Sequence, residues 1–385
     1  MFGTKKTPLR QAVRVPIAIF LVAMGAHASS SADGPSPSVS LVPVAKGLDH
    51  PWAVAFLPDG QFLVTERPGR LRVITAAGQV SPALMGMPTV ASGGQGGLLD
   101  VVVDTAFARN RRIFFCFSEP AAAGASGNST AMARATLSAD SRSVQDVKVI
   151  FSQRPKVASS QHFGCRIVQA ADGNLFLTLG ERYQRRDDAQ KLDNHHGKIV
   201  RITPDGAVPS DNPFRQQPGA LPEIWSYGHR NPQGAAIAPD GKLWMHEHGP
   251  KGGDEVNLPQ PGRNYGWPVV TYGENYGGGK IGEGTAKAGM EPPLHYWVPS
   301  IAPSGMAFLT SSKYGDAWKG SLFIGSLKFG TLHRLEVGQG KVLREEKLLQ
   351  GNGERLRDVR QGPDGLLYLL TDSPQGQLLR LQPSS

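Results

Sequence analysis

The 385-residue chain has only two cysteines, Cys116 and Cys165, and neither belongs to a Cys-x-x-Cys or Cys/His spacing, so no cysteine-built metal centre is encoded. No serine stands beside a histidine in a nucleophile motif, and no glycine-rich phosphate loop follows a strand. Lys/Arg runs interleaved with aromatics are missing, which argues against nucleic acid as a partner. After residue 40 nothing is apolar for long enough to span a bilayer, and no long 3.6-residue periodicity appears, so neither membrane insertion nor a helical fold is expected. Charge is sparse as well, at 19% of residues.

The N-terminus is a different kind of text. Lys5, Lys6, Arg10 and Arg14 precede an apolar run, Val15 to Ala26, and Ala26-His27-Ala28 has the small-x-small form of a cleavage site. Residues 1–28 read as a secretory signal cut after Ala28, with a flexible leader over 29–40 and one domain over 41–385. The signal holds four basic and no acidic residues, so cleavage lowers the formal charge from +9 to +5. A periplasmic or secreted location follows. In that oxidising compartment the two cysteines either pair or stay as buried thiols, and spacing alone leaves both open.

What the chain has in abundance is glycine, 47 residues, and proline, 30. Asp-Gly turns followed by apolar runs recur as LPDGQFLVTE, AADGNLFLTLGE, APDGKLWMHE and GPDGLLYLLTD, and two looser copies surround Asp104 and Asp316. Turn aspartates at 59, 104, 172, 240, 316 and 364 mark six hairpins at irregular spacing, which predicts an all-β, six-bladed β-propeller. Each hairpin's first strand opens with a polar or aromatic cluster: HPWAVAF, GGQGGLLDVVV, QHFGCRIV, HRNPQGAAIA, PSIAPSGMAF and RLRDVRQ. The innermost strands of a propeller start on one rim. His50 or Trp52, Gln95, His162, Arg230 with Asn231, Ser304, and Arg355 with Arg357 should therefore converge, joined by Lys328. Several cations around one imidazole suit a flat, polyanionic ligand. A second constellation, HEHGPKGGDEVNLPQPGRNYGWP at 246–268, offers loop carbonyls and Asp254-Glu255, hard-oxygen donors suited to Ca²⁺.

HPWAVAF, GGQGGLLDV, HFGCRI, GHRNPQG, GPKGGDEVN with RNYGWP, APSGM and RLRDV together resemble the soluble pyrroloquinoline-quinone (PQQ)-dependent sugar dehydrogenases, with the periplasmic aldose sugar dehydrogenases as the nearest branch. The resemblance spans roughly residues 41 to 382. It implies a propeller that holds PQQ and Ca²⁺ at the channel mouth, with aldose sugars as substrates and a separate electron acceptor. By the matching motifs, His162 corresponds to the general base and Gln95 to a neighbour of cofactor and substrate. Arg230 and Asn231 would contact the quinone, and Lys328, Arg355 and Arg357 would pair with its carboxylates. Gly249 and Pro250 would offer carbonyls to a catalytic Ca²⁺, Glu255 and Tyr265 would hold a structural one, and Tyr276 and Trp297 would wall the pocket. One departure stands out: glucose-preferring members carry an acidic residue before the base, where this chain has Gln161. Two rival readings fit the same fold, a metal-dependent lactonase and a non-catalytic carbohydrate- or protein-binding propeller.

Overall fold

A computed structural model describes residues 1–4 and 37–384. Nearly all of the expected signal sequence and most of the expected leader lie outside the described residues. Residues 37–384 fold as six antiparallel sheets whose innermost strands are Pro51–Phe56, Leu98–Val103, Gly164–Gln169, Pro232–Ile237, Pro303–Phe308 and Leu356–Gln361. Each of these strands packs against the next, and the sixth packs against the first, so the sheets close into a ring of six blades. Five blades have four strands and the first has three. No described helix is long and apolar enough to cross a membrane.

The turns explain why the repeat could be read. In the four tight copies the aspartate Oδ1 accepts the backbone N–H two residues on: Gln61 to Asp59, Asn174 to Asp172, Lys242 to Asp240 and Leu366 to Asp364. The glycine between them sits at φ 82–83° in all four, a conformation nearly closed to residues with a Cβ. The turn is therefore specified by local chemistry rather than by blade packing.

Ring closure was not visible in the repeat. Val39–Leu48 pairs antiparallel with Gly376–Pro383 as the outermost strand of the sixth blade. Val39 and Ser40, at the end of the expected leader, belong to this strand. A sheet made from both ends of the chain leaves no seam to fray.

The channel is filled by an ionic lattice. Arg166 of the third blade bridges Asp100 of the second (3.2 Å) and Asp358 of the sixth (3.1 Å). Arg360 reaches the same two carboxylates. Asp100 also accepts the Ile167 N–H, and Asp358 that of Val54. Four inner strands are thereby tied together. Removing one partner would strand a buried charge, which typically costs about 3–5 kcal/mol. Above the lattice, Trp52 receives the guanidiniums of Arg166 and Arg357 at 4.3 and 5.6 Å from its ring.

The cysteines are disulfide-bonded. Cys116 of the second blade and Cys165 of the third lie 5.7 Å apart at Cα and close a covalent link between neighbouring blades.

Candidate active site

His162 precedes the innermost strand of the third blade and is buried in the left-handed conformation, φ 51°. Its backbone N–H donates to Gln95 Oε1 at 2.8 Å, and its carbonyl accepts the Arg182 N–H. Its ring Nδ1 lies 2.6 Å from Glu181 Oε2. Glu181 ends the hairpin that His162 begins, so the second strand of the same blade delivers the carboxylate. The residue before the histidine is Gln161, and its acidic partner is Glu181, which no motif marks as such. The missing signal was spatial, because a hairpin brings its two ends together whatever separates them in sequence. Burial pushes the imidazole below its ordinary pKa, Glu181 opposes this, and the charges of Arg230 and Arg182 add to the lowering.

Two cavities open beside the neighbours of this histidine, one lined by Gln95, Phe163 and Gly164 and the other by Glu181 and Tyr183, while the buried imidazole itself lines neither. The first, about 520 Å³, is lined by Gln95, Asn231, Lys328, Arg355 and Arg357 from the predicted set. Trp52, Arg67, Gln233, His248 and Asp372 also line it. Arg67 and Asp372 carried no recognisable motif. Asp372 accepts from Arg355 (2.9 Å) and Arg357 (3.4 Å). Burial would raise its pKa, yet Arg357 and Arg355 hold it at about 2. One carboxylate thus faces four cations, and Arg357 Nε is buried without a partner. His248 donates from Nε2 to the Pro303 carbonyl at 2.6 Å, and burial lowers its pKa to about 3, so it stays neutral.

The second cavity, about 410 Å³, is lined by Glu181, Tyr183, Arg230, Pro250, Trp267 and Tyr276 among others. Arg230 lies over Trp267, 5.3 Å from its ring, and donates from Nη1 to the carbonyls of His248 (3.0 Å) and Gly249 (2.8 Å). The Gly249 oxygen therefore already has one partner. Asn231 Oδ1 accepts the Gly164 N–H at 3.2 Å and fixes the strand start behind His162.

Trp297 is placed elsewhere. Its indole is buried between the fourth and fifth blades and donates to Glu345 at 2.9 Å, and it lines neither cavity. Ser304 donates to the Leu356 carbonyl, bracing two inner strands.

Among the described residues no group of three or more His, Cys, Asp or Glu side chains forms a ready metal site. Glu255 and Tyr265 nevertheless meet at a cavity of about 10 Å³, room for one small occupant, together with Glu247 and Gly249. Burial first, then the charge of Glu247, pushes the Glu255 carboxyl well above its ordinary pKa. Asn257 Nδ2 donates to both glutamates, while its Oδ1 is buried without a partner. Two crowded carboxylates beside an unused amide oxygen have the chemistry of a hard-cation site.

The chain matches the Glucose / Sorbosone dehydrogenase family model over residues 48–380. It is 49% identical to an aldose sugar dehydrogenase of Escherichia coli over 340 residues, 87% of this chain and 91% of that protein. A solved apo-form soluble aldose sugar dehydrogenase from Escherichia coli superposes with a TM-score of 0.87 at 47% identity, covering 90% of this chain and all of that one. The PQQ-bound aldose sugar dehydrogenase of Streptomyces coelicolor gives a TM-score of 0.73 at 28% identity, covering 91% and 100%. With residues 48–380 matched by the family model and 49% identity to the Escherichia coli relative over 340 residues, the chain belongs to the Glucose / Sorbosone dehydrogenase family.

Proposed function

We propose that this protein is a PQQ-dependent aldose 1-dehydrogenase in which the 520 Å³ cavity holds the quinone and the 410 Å³ cleft admits the sugar. One observation carries the reading: a buried histidine is oriented by a carboxylate, its neighbours Gln95 and Phe163 line a strongly cationic cavity, and its contacts Glu181 and Tyr183 line an open aromatic cleft. A flat polyanion fits the first cavity, because Arg67, Lys328, Arg355 and Arg357 exceed the single charge of Asp372. When bound, the quinone supplies the two-electron acceptor for the hydride leaving C1.

The chain's own residues do the rest. His162, with Nδ1–H held by Glu181, presents Nε2 as the base that takes the proton of the anomeric hydroxyl. Glu181 stabilises the imidazolium that forms, and its charge keeps the proton on the histidine until solvent removes it. Gln95 and Asn231 anchor the backbone on either side of His162, so the base approaches from a fixed direction. Arg230 directs its guanidinium along the border of the cleft, where negative charge develops. The product is an aldonolactone, and the electrons leave to a separate acceptor.

Calcium belongs to the same reading. Glu255, with Glu247, Asn257 and the Tyr265 segment, would hold one ion. The carbonyls of Gly249 and Pro250, expected to hold a second ion with the quinone's help, fit less well: the Gly249 oxygen already accepts from Arg230, and neither residue lines the 520 Å³ cavity. Export to the periplasm or beyond is supported by the signal-like N-terminus and by the disulfide, which suits an oxidising compartment.

The test is direct. PQQ and Ca²⁺ are added to the purified protein, and the quinone spectrum is followed as an aldose is introduced. Bleaching is expected, and it should slow by about 10²–10⁴-fold in His162→Ala with quinone still bound. No bleaching with any aldose would leave a binding propeller or a lactonase as the better reading.

A further inference from the structure

Directly after Glu181 the backbone takes a costly conformation twice in succession. Arg182 (φ 64°) and Tyr183 (φ 66°) are both left-handed, which non-glycine residues adopt only where their surroundings compel it. Arg182 supplies that compulsion. Its buried guanidinium donates to the carbonyls of Gln161, Ser159 and Asn128 and to the Asn128 side chain. It also lies 3.8 Å from the centre of the Phe163 ring. The backbone N–H of Arg182 donates to the His162 carbonyl, and that of Tyr183 to Glu181 Oε2 at 2.7 Å. Residues 181–183 are thus locked onto the loop that carries His162.

This locked segment holds out an aromatic ring. Tyr183 meets the His162 imidazole edge to face, with centroids 5.4 Å apart and planes at 80°, yet it remains 46% exposed. The ring lines the 410 Å³ cleft, as does the still more exposed Tyr276. Burial therefore does not repay the strain at Tyr183, whereas a ligand in the cleft would. An aldopyranose has a face of C–H groups that packs on aromatic rings while its rim of hydroxyls stays hydrogen-bonded.

We infer that Tyr183 is a specificity-determining residue: it packs against the sugar ring beside His162 and sets how C1 meets the base. This rests on the dehydrogenase reading above. Tyr183→Gly removes the ring and relieves the left-handed strain, so the melting temperature should hold or rise. In contrast, kcat/KM should fall by about three- to tenfold, the worth of one aromatic contact, with the loss mainly in KM. The ratios of kcat/KM between D-glucose, D-mannose and D-galactose should shrink toward one. Tyr183→Asn, which also tolerates this backbone, should do the same, and Tyr183→Phe should stay close to the parent. Quinone titration should give the same affinity in all four proteins. Parental kinetics and sugar ratios in both small variants would overturn the inference alone, as would a loss traced to weaker quinone binding. A parent that bleaches no quinone with any aldose would overturn the dehydrogenase reading and this inference with it.

Discussion

Glu181 Oε2 and His162 Nδ1 are 2.6 Å apart, nineteen residues separate them in sequence, and both side chains are buried. A carboxylate on Nδ1 fixes the tautomer that leaves Nε2 unprotonated, and it raises the basicity that burial lowers. On the proposed reading the hairpin of the third blade carries both the base, at its entrance, and the group that orients it, at its exit.

Glu181→Gln keeps the shape and removes the charge. The expected outcome is a loss of about 10–10³-fold in kcat with quinone affinity unchanged, because the imidazolium formed during proton transfer loses its counter-ion. The sign of the pH effect follows from the same contact. His162 acts as a base only when neutral, so activity falls as pH drops through its pKa. Glu181 raises that pKa, and its neutralisation should move the acid limb of the kcat/KM profile to lower pH. Steady-state rates from pH 4 to 8 on parent and variant check both effects.

Arg357→Ala should act on the cofactor. Arg357 lines the cationic cavity, and Trp52 and Asp372 hold its side chain in place. Loss of a charge-assisted partner to a buried carboxylate costs about 2–5 kcal/mol, so the quinone should bind far more weakly while saturating quinone restores turnover. Quinone titration followed by absorbance measures this. An inactive variant with parental quinone affinity would contradict the role.

The disulfide makes a separate prediction. Cys116 and Cys165 close a loop of 49 residues between two blades, and Cys165 lies three residues from His162. A cross-link of this span stabilises by about 2–4 kcal/mol, chiefly through the unfolded chain. The Cys116→Ser/Cys165→Ser double variant should melt several degrees lower. It should also become sensitive to proteolysis in the loop before His162. Thermal melts with and without reductant, on parent and variant, provide the check.

How far the sequence could be read depends on which forces are local. The Asp-Gly turns are short-range chemistry, so four hairpins could be placed from Asp59, Asp172, Asp240 and Asp364, and the looser loops around Asp104 and Asp316 supplied the other two. Gln95, Asn231, Lys328, Arg355 and Arg357 could be grouped because equivalent strand ends in a ring share one rim. Glu181, Arg67 and Asp372 escaped because they sit at the far ends of second strands or in turns, where only the closed hairpin shows what they face. Pairing of Val39–Leu48 with the last strand and the Asp100–Arg166–Asp358 lattice escaped for the same reason. The first joins segments that no repeat relates, and the second joins equivalent third positions of inner strands whose contact only the closed ring shows. Trp297 carried an aromatic's usual ambiguity between pocket wall and blade packing, and the structure gives it Glu345 as its partner.

Calcium gives the last prediction. Glu255 faces Glu247 in a buried niche, where like charge and desolvation both oppose ionisation. Without a cation the charged form of Glu255 is a burden on the fold, and with one it becomes a ligand. Glu255→Gln retains the side-chain shape and should therefore change sign with conditions. In saturating Ca²⁺ the variant should melt below the parent, because the parent gains binding energy that its partner lacks. In chelator the gap should close or reverse, because glutamine carries no charge for Glu247 to repel. An ion held here would have protein carboxylates of its own, so the effect should appear on quinone-free protein. An ion at the Gly249 and Pro250 carbonyls should instead need the quinone's negative charge before it stabilises anything. Calcium titrations read by thermal melts, with and without quinone, separate the two. Equal Ca²⁺-dependent stabilisation of parent and Glu255→Gln would remove Glu255 from the ligand set.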